Sequence, residues 1–311
     1  MMSLSIGKTS VLALGALALG ATAFALWPAS KADHQHVSCL SPDQIAPETA
    51  GMVLIEGGSF DMGAGGIYSE EGPVRRRQVE SFWIDATEVT NKEFSEFVAA
   101  TGYVTVAEAG IAGVVPAGAA VFQGPDETSE GRWSYAETAN WRQPEGAGST
   151  IEGLEEFPVV QIAYQDAVAY ATWKGHSLPT EIQWEYAARG GLDGATYAWG
   201  DEREPDGEYL ANNWQGFFPF QDDGSDGFVG RAPVGCYPPN GYGLYDMIGN
   251  VWEWTADPYA RPDASIGLMK GGSYLCAPNY CRRYRPAARH PQEVDLGTDH
   301  IGFRTVSHVS P

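Results

Sequence analysis

The stretch "SYLCAPNYCRRYRPAAR", residues 273–289, holds two of the four cysteines in the 311-residue chain, Cys276 and Cys281. Thiols this close can close a disulfide, ligate a soft metal, or cycle between thiol and disulfide. On a straight strand, positions i and i+5 point to opposite faces. The intervening Ala277, Pro278 and Asn279 can turn the chain and bring both sulfurs to one side. A sulfur-only donor pair selects Cu(I), and the flanking Arg282, Arg283, Arg285 and Arg289 favour thiolate over thiol. In an exported protein an even cysteine count favours a disulfide on spacing alone. Spacing does not separate that reading from the metal one.

Two other stretches carry oxygen donors. "NNWQGFFPFQDDGSDGF", residues 212–228, alternates Asn and Asp with Gly turns, and "GLYDMIGNVWEW", residues 243–254, gathers Asp246, Asn250 and Glu253. Calcium takes carboxylates mixed with backbone carbonyls from such loops, although ordinary Asx-turn loops have the same composition. None of the six histidines falls into a zinc-type spacing. His34 and His36 lie in a polar stretch near the N-terminus. No nucleophile elbow, phosphate loop or dinucleotide fingerprint is present.

These residues need a scaffold. Hydrophobic residues make up 43% of the chain, enough for a sizeable core, whereas 38 Gly and 20 Pro argue against long helical bundles. Thr90 and Glu93 form a capping box ahead of a helical face of Phe94, Phe97 and Val98. A second helix is expected from Tyr164, Ala167, Val168 and Ala171 on one face. A third is expected between a Thr180/Gln183 box and Gly190. Residues 104–150 read as a long ordered loop, and the last 120 residues as short strands and loops.

Residues 11–27 form an unbroken apolar run after a single Lys8, which reads as a signal peptide or N-terminal membrane anchor within residues 1–30. Residues 31–50 read as a linker and 51–311 as one domain. The folded part is therefore expected outside the cytoplasm, periplasmic or secreted, or tethered to the membrane by the anchor. Residues 1–30 hold no acid, leaving 18 basic against 40 acidic residues in the remainder, a net of −22. Such a surface repels nucleic acid and anionic lipid.

The blocks "GGSFDMG", "EVTNKEF", "FPVVQIAYQDAVAYATWKG", "LPTEIQWEYAARGG", "YAWGDE", "PPNGYGLYDMIGNVWEW", "KGGSYLCAPNYCRRYRPAAR" and "HIGFR" stand in the order seen in the formylglycine-generating enzyme (sulfatase-modifying factor) family. The chain resembles that family over about residues 50–306, and the two-cysteine block resembles its copper-dependent members. The resemblance implies an α+β fold, the family's loop-rich variant of the C-type lectin fold, and a monomer. It implies Cu(I) held by Cys276 and Cys281. The implied reaction uses O2 to oxidise the cysteine of a Cys-x-Pro-x-Arg motif in an unfolded sulfatase polypeptide to formylglycine. Ser273, Trp252, Tyr280 and Arg285 would line the substrate groove. Ca2+ would bind the Asn212 and Asp226 side chains with the Asn213 and Phe228 carbonyls. A second Ca2+ would take Asp246 and Glu253 with the Gly249 and Val251 carbonyls.

The chain departs from the animal members of the family in places. Pro286 and Thr305 replace cysteines of structural disulfides, and His300 stands where Asn is common. His300 could donate a proton or be a plain loop residue. Cys39 and Cys236 lack family counterparts and are free to pair in an oxidising compartment. Two rival readings remain. One is another oxidase of the superfamily acting on a small molecule or siderophore precursor. The other is a non-catalytic lectin-fold module stapled by a Cys276–Cys281 disulfide.

Overall fold

The computed structural model describes residues 38–40, 51–125, 130–260 and 262–308. The apolar segment 11–27, His34, His36 and most of the stretch read as a linker lie outside the described residues. In chain order the elements begin with β1 (Met52–Ile55), β2 (Gly58–Met62), β3 (Arg75–Val79), β4 (Phe82–Asp85), α1 (Asn91–Thr101) and α2 (Val106–Ala109). Then come β5 (Ala119–Gln123), β6 (Arg132–Ala136), α3 (Tyr164–Trp173) and α4 (Glu181–Arg189). The last are β7 (Trp252–Ala260), β8 (Asp263–Lys270), β9 (His290–Glu293), β10 (Ile301–Gly302) and β11 (Val306–His308).

The α+β, loop-rich expectation holds. α1 starts as its sequence requires. The Thr90 side chain accepts from the Glu93 N–H, Glu93 reaches back, and Gly102 at φ +68° stops the helix. α4 repeats the device with Thr180, Gln183 and Gly190. α3 is rotated from the expected face. Val168 stays 37% exposed, and Tyr170 is buried instead, ringed by Phe94, Phe97 and Phe303. An aromatic slot outweighs one small β-branched side chain in burial energy.

The stretch expected as continuous loop at 104–150 contains α2, with its own Thr105/Glu108 box, and the β5–β6 hairpin. Elements of four or five residues are too short to show a period against Gly, Ala and Pro.

β1, β4 and β11 form one sheet, with β4 central. A four-stranded sheet runs β10-β7-β8-β9, with β10 parallel to β7 and the other pairs antiparallel. The core lies between these sheets and α1, α3 and α4, where Trp184, Trp254, Phe94 and Phe303 are completely buried. Each buried indole has a partner. Trp254 Nε1 donates to the Ile162 carbonyl at 2.9 Å and Trp184 Nε1 to Glu253 Oε2 at 2.8 Å.

Candidate active site

The four-stranded sheet brings the reactive residues to one end. Trp252 opens β7 and pairs with Ile301 of β10, so His300, one residue earlier, arrives beside it; the Trp252 N–H donates to the His300 carbonyl at 2.8 Å. His290 opens β9 opposite Met269, near the end of β8. The cysteine-bearing loop, residues 271–289, joins β8 to β9 across this end. Its first bend depends on Gly272. With φ +79°, a Cβ there would stand 2.7 Å from Tyr284 Cα and 2.8 Å from its nitrogen, closer than any side chain tolerates.

Two turns then shape the loop. The Cys276 N–H donates to the Ser273 carbonyl at 2.9 Å, and the Tyr280 N–H to the Ala277 carbonyl at 3.1 Å. Asn279 clasps Phe218 from both sides. Its Oδ1 accepts from the Phe218 N–H at 3.3 Å and its Nδ2 donates to the Phe218 carbonyl at 3.0 Å. Cys276 and Cys281 are both free, Cys276 buried and Cys281 half-buried. The disulfide favoured by spacing therefore does not form; Cys39 and Cys236 are bonded instead, Cα to Cα 4.8 Å. Cys39 lies in the stretch read as a linker, and this bond ties it to the domain.

The thiols face a cavity of about 410 Å³ lined by Trp252, Ser273, Tyr280, Arg283, His290 and His300, among others. Burial pushes the Cys276 thiol well up, reinforced by its bond to Cys281. That bond, Cys276 S–H to Cys281, holds Cys281 down, helped by the Arg283 guanidinium. The pair thus keeps one proton on Cys276 and makes Cys281 the readier thiolate. Burial lowers His290 to about 4 and His300 to about 3, so both imidazoles are neutral near pH 7. His290 lies against the Trp252 ring at 5.1 Å with its Nδ1 buried and unpartnered. His300 Nδ1 meets Thr298 Oγ1 at 2.5 Å.

Ser273, Trp252, Tyr280 and His300 all line this cavity. Arg285 does not. It is buried elsewhere, its guanidinium doubly bonded to Glu71, because a charge on that side of the loop needs a buried counter-charge. Arg283 lines the cavity in its place, paired with Glu70 at 2.7 Å and stacked over Tyr68 at 3.9 Å. Sequence reasoning missed His290, which stands in no motif, and Phe218, hidden in "FFPF".

Among the described residues no group of three or more His, Cys, Asp or Glu converges as a metal site. The oxygen-donor loops are nevertheless compact. Asp226 Oδ2 accepts from the Asn213 N–H at 3.0 Å and Oδ1 from the Phe228 N–H at 3.2 Å, while Asn212 Nδ2 donates to the Gly230 carbonyl at 2.9 Å. This is Asx-turn geometry that leaves further lone pairs on the carboxylate. In the second loop, Gly249 and Asn250 take positive φ. Both Glu253 oxygens are occupied, by Arg304 at 2.8 Å each and by Trp184. Asp246 Oδ2 accepts from the Gly235 N–H at 2.6 Å, but its Oδ1 is buried without a partner. Glu88, which sequence reasoning did not single out, is fully buried with neither oxygen partnered. Arg304 thus answers three carboxylates, Glu88, Asp246 and Glu253.

Residues 38–309 match the model of the sulfatase-modifying factor enzyme 1-like domain, and the chain belongs to that family. It is 49% identical to the formylglycine-generating enzyme of Mycobacterium tuberculosis, over 82% of this chain and 97% of the relative. It is also 42% identical to an inactive C-alpha-formylglycine-generating enzyme 2 of Bos taurus, over 84% and 89%. The structure of PvdO from Pseudomonas aeruginosa superposes with a TM-score of 0.59 at 25% identity, covering 83% of this chain and 94% of that one.

Proposed function

We propose that this protein oxidises the cysteine of a Cys-x-Pro-x-Arg motif in unfolded sulfatase polypeptides to formylglycine, with O2 as oxidant. One observation carries the reading. In a chain that forms a disulfide at Cys39–Cys236, Cys276 and Cys281 remain free, hydrogen-bonded to each other, in the wall of a substrate-sized cavity. The strong named relatives support the same conversion.

The donor set fits Cu(I). Two soft sulfurs in a water-poor wall suit that ion above harder ones, and the shared proton is the one a metal would displace. Bound copper would supply the reaction with O2. The protein's own residues do the rest. Tyr280, at the mouth, and Trp252, at the floor, provide apolar walls for an extended peptide. Neutral His290 and His300 accept protons without adding positive charge beside a thiolate. Arg283 stabilises Cys281 as the anion. Cβ–H cleavage would yield a thioaldehyde, and hydrolysis would release sulfide and leave the aldehyde.

The second calcium site also suits its proposed occupant. Three buried carboxylates against one guanidinium, with unpartnered oxygens on Asp246 and Glu88, are a donor set that a divalent cation would neutralise. The Gly249 and Val251 carbonyls would complete it. Asn212, Asp226 and the Asn213 and Phe228 carbonyls form the other candidate. We further propose that the protein acts as a monomer outside the cytoplasm, released or anchored through its apolar N-terminal segment.

The test is a Cu(I) titration with thiol counting. Binding of one copper should protect two thiols, and Cys276→Ser or Cys281→Ser should abolish both the binding and peptide conversion. Copper-independent conversion by either variant would contradict the assignment.

A further inference from the structure

The turn that supplies Phe218 to the cavity carries two more phenylalanines that face away from the core. Phe217 is 63% exposed and Phe220 55%. Their rings stack on each other at 6.1 Å and 18°, and this is the one ring contact either makes among the described residues. A solvent-facing pair of this size normally costs solubility, which in a chain this acidic is otherwise well provided for.

The pair is held rigidly. The Phe220 N–H donates to the Phe217 carbonyl at 2.8 Å, and Trp214 Nε1 to the Gln221 carbonyl at 2.6 Å. Phe218, between the two, is buried, clasped by Asn279 and stacked on Tyr280 at 4.3 Å and 12°. Tyr280 is itself 62% exposed. The aromatic surface therefore runs without a break from the cavity wall, through Phe218 and Tyr280, onto Phe217 and Phe220.

A cavity of about 410 Å³ cannot enclose the proposed substrate motif. Five extended residues reach about 17 Å, so the residues on either side must cross the rim. A rigid aromatic shelf continuous with the cavity is a surface on which an apolar side chain of that crossing chain loses water. We infer that Phe217 and Phe220 form an outer subsite that selects substrate polypeptides with a large aliphatic or aromatic residue flanking the modified cysteine motif. This rests on the function proposed above and adds a specificity to it.

The test uses the whole protein and two peptides that share the Cys-x-Pro-x-Arg motif, one flanked on both sides by Leu and the other by Ser. Each is also made with Ser in place of the reactive Cys, so that binding is read by fluorescence anisotropy without turnover. The wild type should bind the Leu-flanked form roughly tenfold more tightly, and the F217S/F220S variant should bring that ratio close to one. Equal binding of both peptides by the wild type, no binding of either, or an unchanged ratio in the variant overturns the subsite. So does a wild-type dimer, seen by sedimentation, that the variant converts to monomer, since the shelf would then be covered by a second copy. A preserved binding ratio with no conversion of the cysteine peptides would leave the subsite standing and remove the proposed reaction.

Discussion

Arg285 and Glu71 lie 214 residues apart in sequence and close a two-pronged ion pair inside the protein, with Nη1 2.8 Å from Oε2 and Nη2 on Oε1. Both side chains are almost fully buried, and Arg285 Nε also donates to the Arg282 carbonyl at 2.8 Å. The pair fastens the cysteine-bearing loop to the segment before β3.

Arg285→Ala should therefore act on stability. Removing one member of a buried pair strands the other charge, at a cost of about 3–5 kcal/mol. Arg285→Lys should recover only part, because an ammonium cannot reproduce the fork. Urea unfolding measures this. A variant as stable as the wild type with a raised KM would return Arg285 to the substrate groove.

The Cys39–Cys236 disulfide spans 197 residues and should stabilise by chain-entropy reasoning on the order of 5 kcal/mol. Cys39→Ser should melt well below the wild type and match the reduced wild type, while leaving Cys276 and Cys281 titratable as free thiols. If reductant leaves the melting temperature unchanged, the bond has no such role.

Asp299 sits buried near the cavity, Oδ2 accepting from the Phe122 N–H at 2.9 Å and Oδ1 unpartnered. Burial pushes its carboxyl up to about 7. A raised carboxylate contributes stability that is complete below its unfolded value, about 3.9, and lost as pH rises through its folded value. Asp299→Asn never ionises, so its melting temperature should gain on the wild type as pH rises from about 5 to about 8. A pH-independent difference would show that Asp299 is charged in the fold throughout.

EGTA should destabilise the protein, and Glu88→Gln should weaken calcium binding measured by calorimetry. Ligand at a hundredfold excess over its Kd stabilises by about 2.7 kcal/mol. An EGTA-insensitive melt with no calcium by elemental analysis would remove both proposed calcium sites.

Much of this architecture was legible in the residues. Thr90/Glu93 and Thr180/Gln183 announce helices because capping is a local contact between residues three apart. The family blocks placed the two cysteines together, although spacing alone pointed to a bond between them. What escaped was non-local. Whether Arg283 or Arg285 faces the cavity depends on Glu70 and Glu71, which no pattern in the loop reveals. His290 enters through the β8–β9 register and Glu88 through its placement against Arg304. The β5–β6 hairpin was lost because its strands are too short to show alternation among small residues.

The central claim is cysteine oxidation at the Cys276–Cys281 pair. The direct measurement is mass spectrometry of a Cys-x-Pro-x-Arg peptide after incubation with the Cu(I)-loaded protein, O2 and a thiol reductant. A mass loss of about 18 Da at the cysteine, CH2–SH to CHO, is expected, with trapping of the product by an aldehyde-reactive hydrazide. The loss should vanish in Cys276→Ser and Cys281→Ser at unchanged melting temperature. An unaltered peptide mass with fully copper-loaded wild type, or conversion that survives loss of either cysteine, would contradict the account.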